Sequence, residues 1–404
     1  MPPRFTDEDR RARLVTRHHL ARTATSVGRA VQDVVAFHSS DPATPYLAAW
    51  ARVGSFLASD LDRALYDERG LWRLHAMRRT LFVVPTELAA VFDGGAGRAV
   101  AGKERRRLEQ WLEGDVDDPA RWLADLESRV LAVFGDGLDY RTTELADAVP
   151  ELAREITVGS GKWSGRVPLS SRLLYLLAME LKLVRASAAG TWRSSQYRWA
   201  AADGWFGRSI EPLESEQGRA ELLTLYLRAF GPATMTDMRW WTGWTVRDTK
   251  AALEAVGAVE AELSGSAVGH VLADDGDSTD TPEGVATLLP GLDSTPMGWK
   301  ERTWFLGDHA GPLYDRNGNI GPTVWVDGRI VGGWGQPPDG EVAIRLLEEV
   351  GAQAADMIDS EAAALTQWLD GTVVTPRFRA PLEKELSRCC LLYTSDAADE
   401  SSSV

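Results

Sequence analysis

The sequence predicts an α+β protein made of repeated helical units, each ending in a β-hairpin, followed by a β-rich C-terminal domain. Three observations carry that prediction. The first unit runs helix, helix, helix, hairpin; the same order returns at intervals of about one hundred residues; and the character of the chain changes after Gly265.

In the first unit, "DEDRRARLVTRHHLARTAT" is amphipathic and "VGRAVQDVVAFH" reads as a second helix. "LASDLDRALYDERG" reads as a third, with Ser59 as N-cap and Gly70 as its stop. "LWRLHAMRRTLFVVP" then alternates and ends in β-branched residues, the pattern of a hairpin. In the second pass, "DPARWLADLESRVLAVFG", the threonine-capped "RTTELADAVPEL" and "PLSSRLLYLLAMELKLV" precede "RASAAGTWRSSQYRWAA", where Gly190 separates two strands. A third pass runs through "GRAELLTLYLRAFG", "ATMTDMRWWTG", "TVRDTKAALEAVG" and "AVEAELSG". This is the element order of tandem winged helix-turn-helix units, placed here at 1–115, 116–210 and 211–264. The β-rich domain spans 265–388: "VATLLPGLD", "TVWVDGRIVGGWG" and "EVAIRLLEEV" are strand-like, Asp327-Gly328 is a strong hairpin signal, and "AQAADMIDSEAAALTQWLDG" closes it as a helix. Residues 389–404 lack any periodic pattern, and "LLYTSDAADE" resembles a translated sequencing-adaptor fragment, so they are set aside as a non-native tail.

Composition narrows the function classes. The 404 residues, 44% hydrophobic and 25% charged, are those of a soluble globular protein. No apolar run approaches a membrane span, and the charged N-terminal stretch "MPPRFTDEDRRARLV" is unlike a signal peptide, so a cytoplasmic protein without a membrane partner is expected. Two adjacent cysteines and six histidines form no ligand-spaced cluster, so neither a metal nor a cofactor is expected. A net charge of -15 argues against nucleic-acid binding as a bulk property only, because phosphate contacts need just a local basic surface. The 16 tryptophans suit cores, interfaces and base-stacking surfaces alike.

One stretch combines polar chemistry with an abrupt break in pattern. The apolar run through Val31, Val34, Val35 and Phe37 meets His38-Ser39-Ser40-Asp41 and stops at Pro42. On pattern alone this is a helix boundary, with Asp41 capping the helix that follows.

Five stretches, in order, resemble the large bacterial winged-helix family that includes the DNA glycosylases AlkZ and YcaQ. They are "PYLAAWARVGSF", "LHAMRRTLFVVP", "AFGPATMTDMRWWTGW", "LLPGLDSTPMGWKER" and "NIGPTVWVDGRIVGGW". The resemblance covers the chain from about Arg10 to Leu386. It implies tandem winged helices and a C-terminal β-barrel around a concave, DNA-sized cleft. It also implies that the family's Gln-x-Gln or Gln-x-Asp catalytic motif falls at Phe37 to Pro42. Here His38 and Ser40 replace both motif positions, while the flanking Asp41-Pro42 and Trp50-Ala51-Arg52 are kept.

The chemistry that such a site needs is modest. A cationic N7- or N3-alkylpurine is already a good leaving group, which leaves an oxocarbenium-like sugar to stabilise and a water to place. Residues at i and i+2 of an extended segment point to one side and can grip one water. Neutral His38 can accept its proton, Ser40 can orient it, and Asp41 can hold the other histidine nitrogen or serve as a cap. Arg78 and Arg79 on the first wing, Arg193, Gln196, Tyr197 and Arg198 on the second, and Lys300 and Arg302 in "GWKER" are the candidate DNA contacts. The expected activity is therefore that of a monofunctional DNA glycosylase acting as a monomer on double-stranded DNA with bulky alkylpurine adducts, in self-resistance to a DNA-alkylating natural product. The alternative is a non-catalytic winged-helix DNA-binding protein, a regulator or lesion-sequestering factor. The "KERRR" run at Lys103 to Arg107 reads as a solvent-facing helix surface, and Trp240-Trp241 as core.

Overall fold

The computed structural model describes residues 2–159, 161, 164–276 and 284–388. The tail at 389–404 and most of the acidic turn after Gly276 lie outside the described residues.

The first helix, Asp7–Arg17, starts at a Thr6–Asp9 capping box and buries Ala12, Leu14 and Val15. The next, Val27–Asp33, ends earlier than its apolar run suggests. Val35 takes a left-handed φ of 69° and turns the chain, so Phe37–His38 is a strand rather than the end of a helix. That strand pairs with Leu81–Pro85, Phe37 opposite Val83 and His38 opposite Phe82. Leu81–Pro85 in turn pairs with Leu71–His75, which is the expected hairpin. After the helix Thr44–Trp50, the helix expected at Ser59 spans Ala58–Asp62 and is capped from Leu57, whose N–H donates to Asp60 Oδ2 at 2.9 Å, and not from Ser59.

Farther along, Pro119–Val133, Thr142–Ala148 and Ser170–Met179 are helices, followed by the hairpin Leu183–Ala188 and Tyr197–Ala201. The N-cap of Thr142–Ala148 is Arg141, not a threonine. A second hairpin, Glu155–Val158 with Gly165–Pro168, sits between the helices, in a stretch without a distinct strand pattern. Ser215–Phe230, Met235–Thr242 and Val246–Ala255 follow as helices. The N-terminal Arg4–Phe5 runs parallel to Val259–Leu263, tying the start of the chain to the third unit.

The C-terminal region departs from the expected barrel. Ala286–Leu289, Thr323–Val326, Arg329–Gly335 and Ala343–Leu346 form an open antiparallel sheet in that order. Closure requires the two outer strands to pair; instead the helix Ala352–Leu369 packs on Ala286–Leu289, and Pro381–Leu386 packs on Arg329–Gly335. The Asp-Gly hairpin is present, with φ 47° at Asp327 and 77° at Gly328, the mirror-image turn that glycine accepts freely.

Two large cores organise these parts. One joins the first helices, the third helical unit and the C-terminal sheet, from Leu14 to Leu386. The other, Leu108 to Leu183, belongs to the middle unit. Between them opens the cleft described next.

Candidate nucleic-acid interface and catalytic site

The cleft encloses about 920 Å³, with Ser39, Ser40 and Pro42 on its floor. Arg79, Arg141, Arg185 and Arg377 contribute to its walls, and its described lining contains no carboxylate. In a chain of net charge -15 this is a concentrated positive surface. Tyr175, Gln196, Tyr197 and Trp199 lie among the arginines, so the wall offers flat faces beside charge.

His38 is held from behind. Its backbone N–H donates to Ser294 Oγ at 3.2 Å, and that hydroxyl donates to Ala36 O at 2.6 Å. The Asp293–Thr295 loop carrying Ser294 is anchored by Arg52, fully buried, which bonds Asp293 through both terminal nitrogens at 2.8 and 2.7 Å and Thr295 Oγ1 at 2.8 Å. Two stretches distant in sequence, "WAR" and "GLDST", thus meet in one buried clasp. His18 completes it, its two ring nitrogens bonded to Thr295 Oγ1 and Ala229 O, under Trp299 and Phe230. Burial above all, reinforced by Arg52, pushes His18 down to about 3, so it is neutral.

The side chains of His38 and Ser40 do not share one cavity as a continuous strand would have them do. The strand ends at His38, and Ser40 sits in a bend facing the cleft. The His38 ring packs edge-on against Phe82, 5.6 Å between centroids. It lines a separate pocket of about 40 Å³ with Arg78, Trp240, Trp241 and Ser294. The two residues are coupled through the backbone: Ser40 N–H points at His38 Nδ1 over 3.4 Å. Burial first, and the charge of Arg78 next, push His38 down to about 4, with Asp293 opposing. His38 is therefore neutral at pH 7.

Both carboxylate oxygens of Asp41 are bound to backbone. Its Oδ1 accepts from Ala43 N–H at 3.1 Å and its Oδ2 from Arg377 N–H at 2.7 Å, closing a local turn and fastening the C-terminal segment to the site loop. It does not hold His38; its bond to Ala43 N–H lies in the turn that leads into the helix Thr44–Trp50, whose N-cap, Ala43, makes no side-chain bond of its own. Burial raises its carboxyl and the two N–H bonds oppose that.

The expected DNA contacts divide. Arg79 reaches the cleft, though it pairs with Glu104 at 3.0 Å; Gln196 and Tyr197 line the wall. Arg78 lies 4.6 Å above the Trp240 ring, and Arg302 approaches the same ring at 5.1 Å, its Nη1 donating to Tyr314 OH. Trp240 is thus a half-buried platform beside His38, while Trp241 is core. Arg193 donates to Val373 O at 2.6 Å, tying the hairpin to the C-terminal segment, and Arg198 is engaged by Asp139 and Glu144 on the neighbouring loop and helix. The Lys300 side chain is exposed, and its backbone N–H, like that of Glu301, is bound by Asp237 Oδ1. Sequence reasoning missed Arg52, Asp293, Ser294 and Arg185. The first three lie inside quoted motifs, so their pairing was the missing information; Arg185 carried no signal.

A family model for the AlkZ-like DNA glycosylases matches residues 31–368. Among solved structures, the Streptomyces sahachiroi DNA glycosylase AlkZ superposes with a TM-score of 0.71 at 19% identity, covering 90% of this chain and 97% of that one. At that identity the likeness establishes the fold. None of the curated proteins compared with the chain matches it. The matched span exceeds half of the 404 residues and includes His38, Ser40, the Arg52–Asp293 clasp and Arg79, Arg141 and Arg185 of the wall: the chain belongs to the AlkZ-like DNA glycosylase family.

Proposed function

We propose that this protein hydrolyses the N-glycosidic bond of bulky, cationic N7- or N3-alkylpurines in duplex DNA. The observation that carries the reading is the cleft of about 920 Å³, walled by arginines without a carboxylate, that descends to Ser39 and Ser40. Phosphates are drawn to such a surface, and its breadth suits adducts too large for a closed base pocket. In the reaction, water adds to the sugar C1′, the C1′–N bond breaks, and the base leaves with the electron pair as a neutral purine. Ser40 orients that water and neutral His38 accepts its proton. A contact of 3.4 Å from Ser40 N–H is long for a hydrogen bond and is readily exchanged for a water. With a conjugate acid near pH 4, His38 is a weak base, which suffices when the electrophile is an oxocarbenium-like sugar. The described cleft lining holds no lysine to supply an amine for a strand-cleaving step, which favours a monofunctional enzyme.

The test is incubation of duplexes carrying methyl, nitrogen-mustard or large intercalating N7-guanine adducts, scored for alkali-labile abasic sites. Wild type is expected to excise the bulky adducts, with His38→Ala slower by about 100-fold or more at nearly unchanged DNA affinity. Excision by His38→Ala at the wild-type rate removes the site assignment. A self-resistance role predicts that expression protects an alkylator-sensitive bacterium, and that His38→Ala does not. A second reading, a silent lesion binder or regulator, is favoured by one observation: the His38 ring lines the narrow pocket and not the cleft. Tight binding of every adduct without abasic sites selects it.

A further inference from the structure

We infer that Arg185 is a phosphate-binding residue in the cleft wall, seating one backbone phosphodiester of the DNA strand beside Ser40. The inference rests on the cleft being a DNA site, and it adds a residue and ligand class to it. Arg185 lies on the strand Leu183–Ala188 opposite Trp199, just before an irregularity in register that redirects the strand. Its guanidinium is wedged against Trp199 at 5.0 Å and Tyr197 at 5.8 Å, and no carboxylate among the described residues of the cleft lining faces it. One terminal nitrogen, Nη1, is sealed from solvent without a hydrogen-bond partner among the described residues.

Two neighbours sharpen the point. His75, 4% exposed, also lines the cleft; its Nδ1 is buried and unpartnered, and its ring meets Tyr175 edge-on at 4.2 Å. On the far side of Tyr197, Arg73 is buried too, bonded to the hydroxyls of Ser39, Tyr66 and Tyr46. Cations taken out of water are ordinarily matched by an anion. Among the described residues, the groups seated on Arg185 are the Tyr197 and Trp199 rings, and its other side lines the cleft. Burial pushes Arg185 down to about 10, still charged at neutral pH. Burial first, and the charges of Arg185 and Arg79 next, push His75 well below the usual histidine range. An anion at Arg185 relieves both costs, and a phosphodiester meets the geometry as a fork-shaped guanidinium prefers.

The experiment is equilibrium binding of an undamaged fluorescent duplex to the full chain across a sodium chloride series. Each phosphate contact contributes about 0.9 to the slope of log affinity against log salt. Arg185→Met, checked for folding by circular dichroism, is expected to reduce that slope by about one and to weaken binding about tenfold; Arg185→Lys should keep the slope. A folded Arg185→Met with the wild-type slope overturns the inference. Should Arg185→Met not fold, ¹⁵N-histidine labelling of the wild type reads His75 directly. Its resonances shift on adding duplex if a phosphate seats there, and unmoved resonances overturn the proposal. Thermal melts in sodium phosphate against chloride distinguish the source. Protection of wild type but not of Arg185→Met means that free phosphate also fills the subsite. No protection alongside the slope change means that only a duplex delivers the group. Because slope and excision are separate readouts, a slope change without excision keeps the subsite and discards the glycosidase reading.

Discussion

Two depressions of similar size lie on this molecule, and they treat arginine in opposite ways. The cleft above Ser40 encloses about 920 Å³ and is lined by Arg79, Arg141, Arg185 and Arg377, with no carboxylate among its described lining residues. The other, about 670 Å³, is lined by Arg98, Arg105 and Lys182 together with Asp93, Glu127 and Glu180. There Arg105 bonds both Glu127 and Glu180, Lys182 bonds the same two, and Arg98 bonds Asp93. Of the basic run Lys103 to Arg107, the densest in the sequence, Arg105 lines this second groove, where its charge is consumed in joining the helix to Glu127 and Glu180, while Arg107 pairs with Glu104 on its own helix. Counting basic residues therefore points to the wrong surface; what marks an anion site is the charge that the fold leaves unmatched.

The comparison can be broken first at the supports of each depression. Asp293→Ala strands Arg52 in the core behind His38 and is expected to cost about 3–5 kcal/mol in urea denaturation. Glu180→Gln in the second groove should cost only about 1 kcal/mol, because its partners are partly solvated and retain Glu127. Equal losses from the two substitutions contradict the picture of a rigid clasp under one depression and a solvated network around the other.

Acid sharpens the same contrast. His18 and His38 hold folded-state values of about 3 and 4, below the ordinary 6.5. The unfolded chain therefore binds more protons than the folded one in that range, so the stability that both provide is complete above about pH 6.5 and is lost as pH falls toward 4. Unfolding midpoints should drop over that window, and His18→Gln should flatten the decline. Excision under single-turnover conditions should stay level from about pH 8 to about pH 5; a rate that halves near pH 6.5 shows His38 unperturbed and refutes its burial as the cause.

Smaller effects test the surfaces themselves. Arg141→Ala should weaken duplex binding about threefold and lower its salt slope. Arg198→Ala should change binding by less than about twofold, since that guanidinium is engaged by Asp139 and Glu144. A larger loss from Arg198 than from Arg141, measured by anisotropy in the same buffer, reverses the assignment of the wall.

Much of this architecture was legible in the residues. Helical periodicity, the Leu71–Pro85 hairpin and the Asp327-Gly328 turn all follow from local pattern, because neighbouring residues decide them. The site was legible only as a location. Val31 to Phe37 has the apolar spacing of a helix, yet Val35 breaks it, because pairing Phe37 with Val83 and bonding His38 to Ser294 outweigh a strained φ. Asp41 reads as a cap until Arg377, far along the chain, takes its second oxygen. Arg185 has no motif about it at all; its meaning comes from what is not placed beside it. The C-terminal barrel failed for a related reason, since whether edge strands meet or are covered by helices is not written in any one strand.

Hydrogen–deuterium exchange with and without an adducted duplex reads both depressions in one measurement. Slowed exchange is expected in the loop after His38, at the Leu71–Pro85 hairpin and along Leu183–Ala188 and Tyr197–Ala201, with the helix Arg98–Leu112 unchanged. Protection centred on Arg98–Leu112 and the second groove, with the cleft hairpins unaffected, contradicts it.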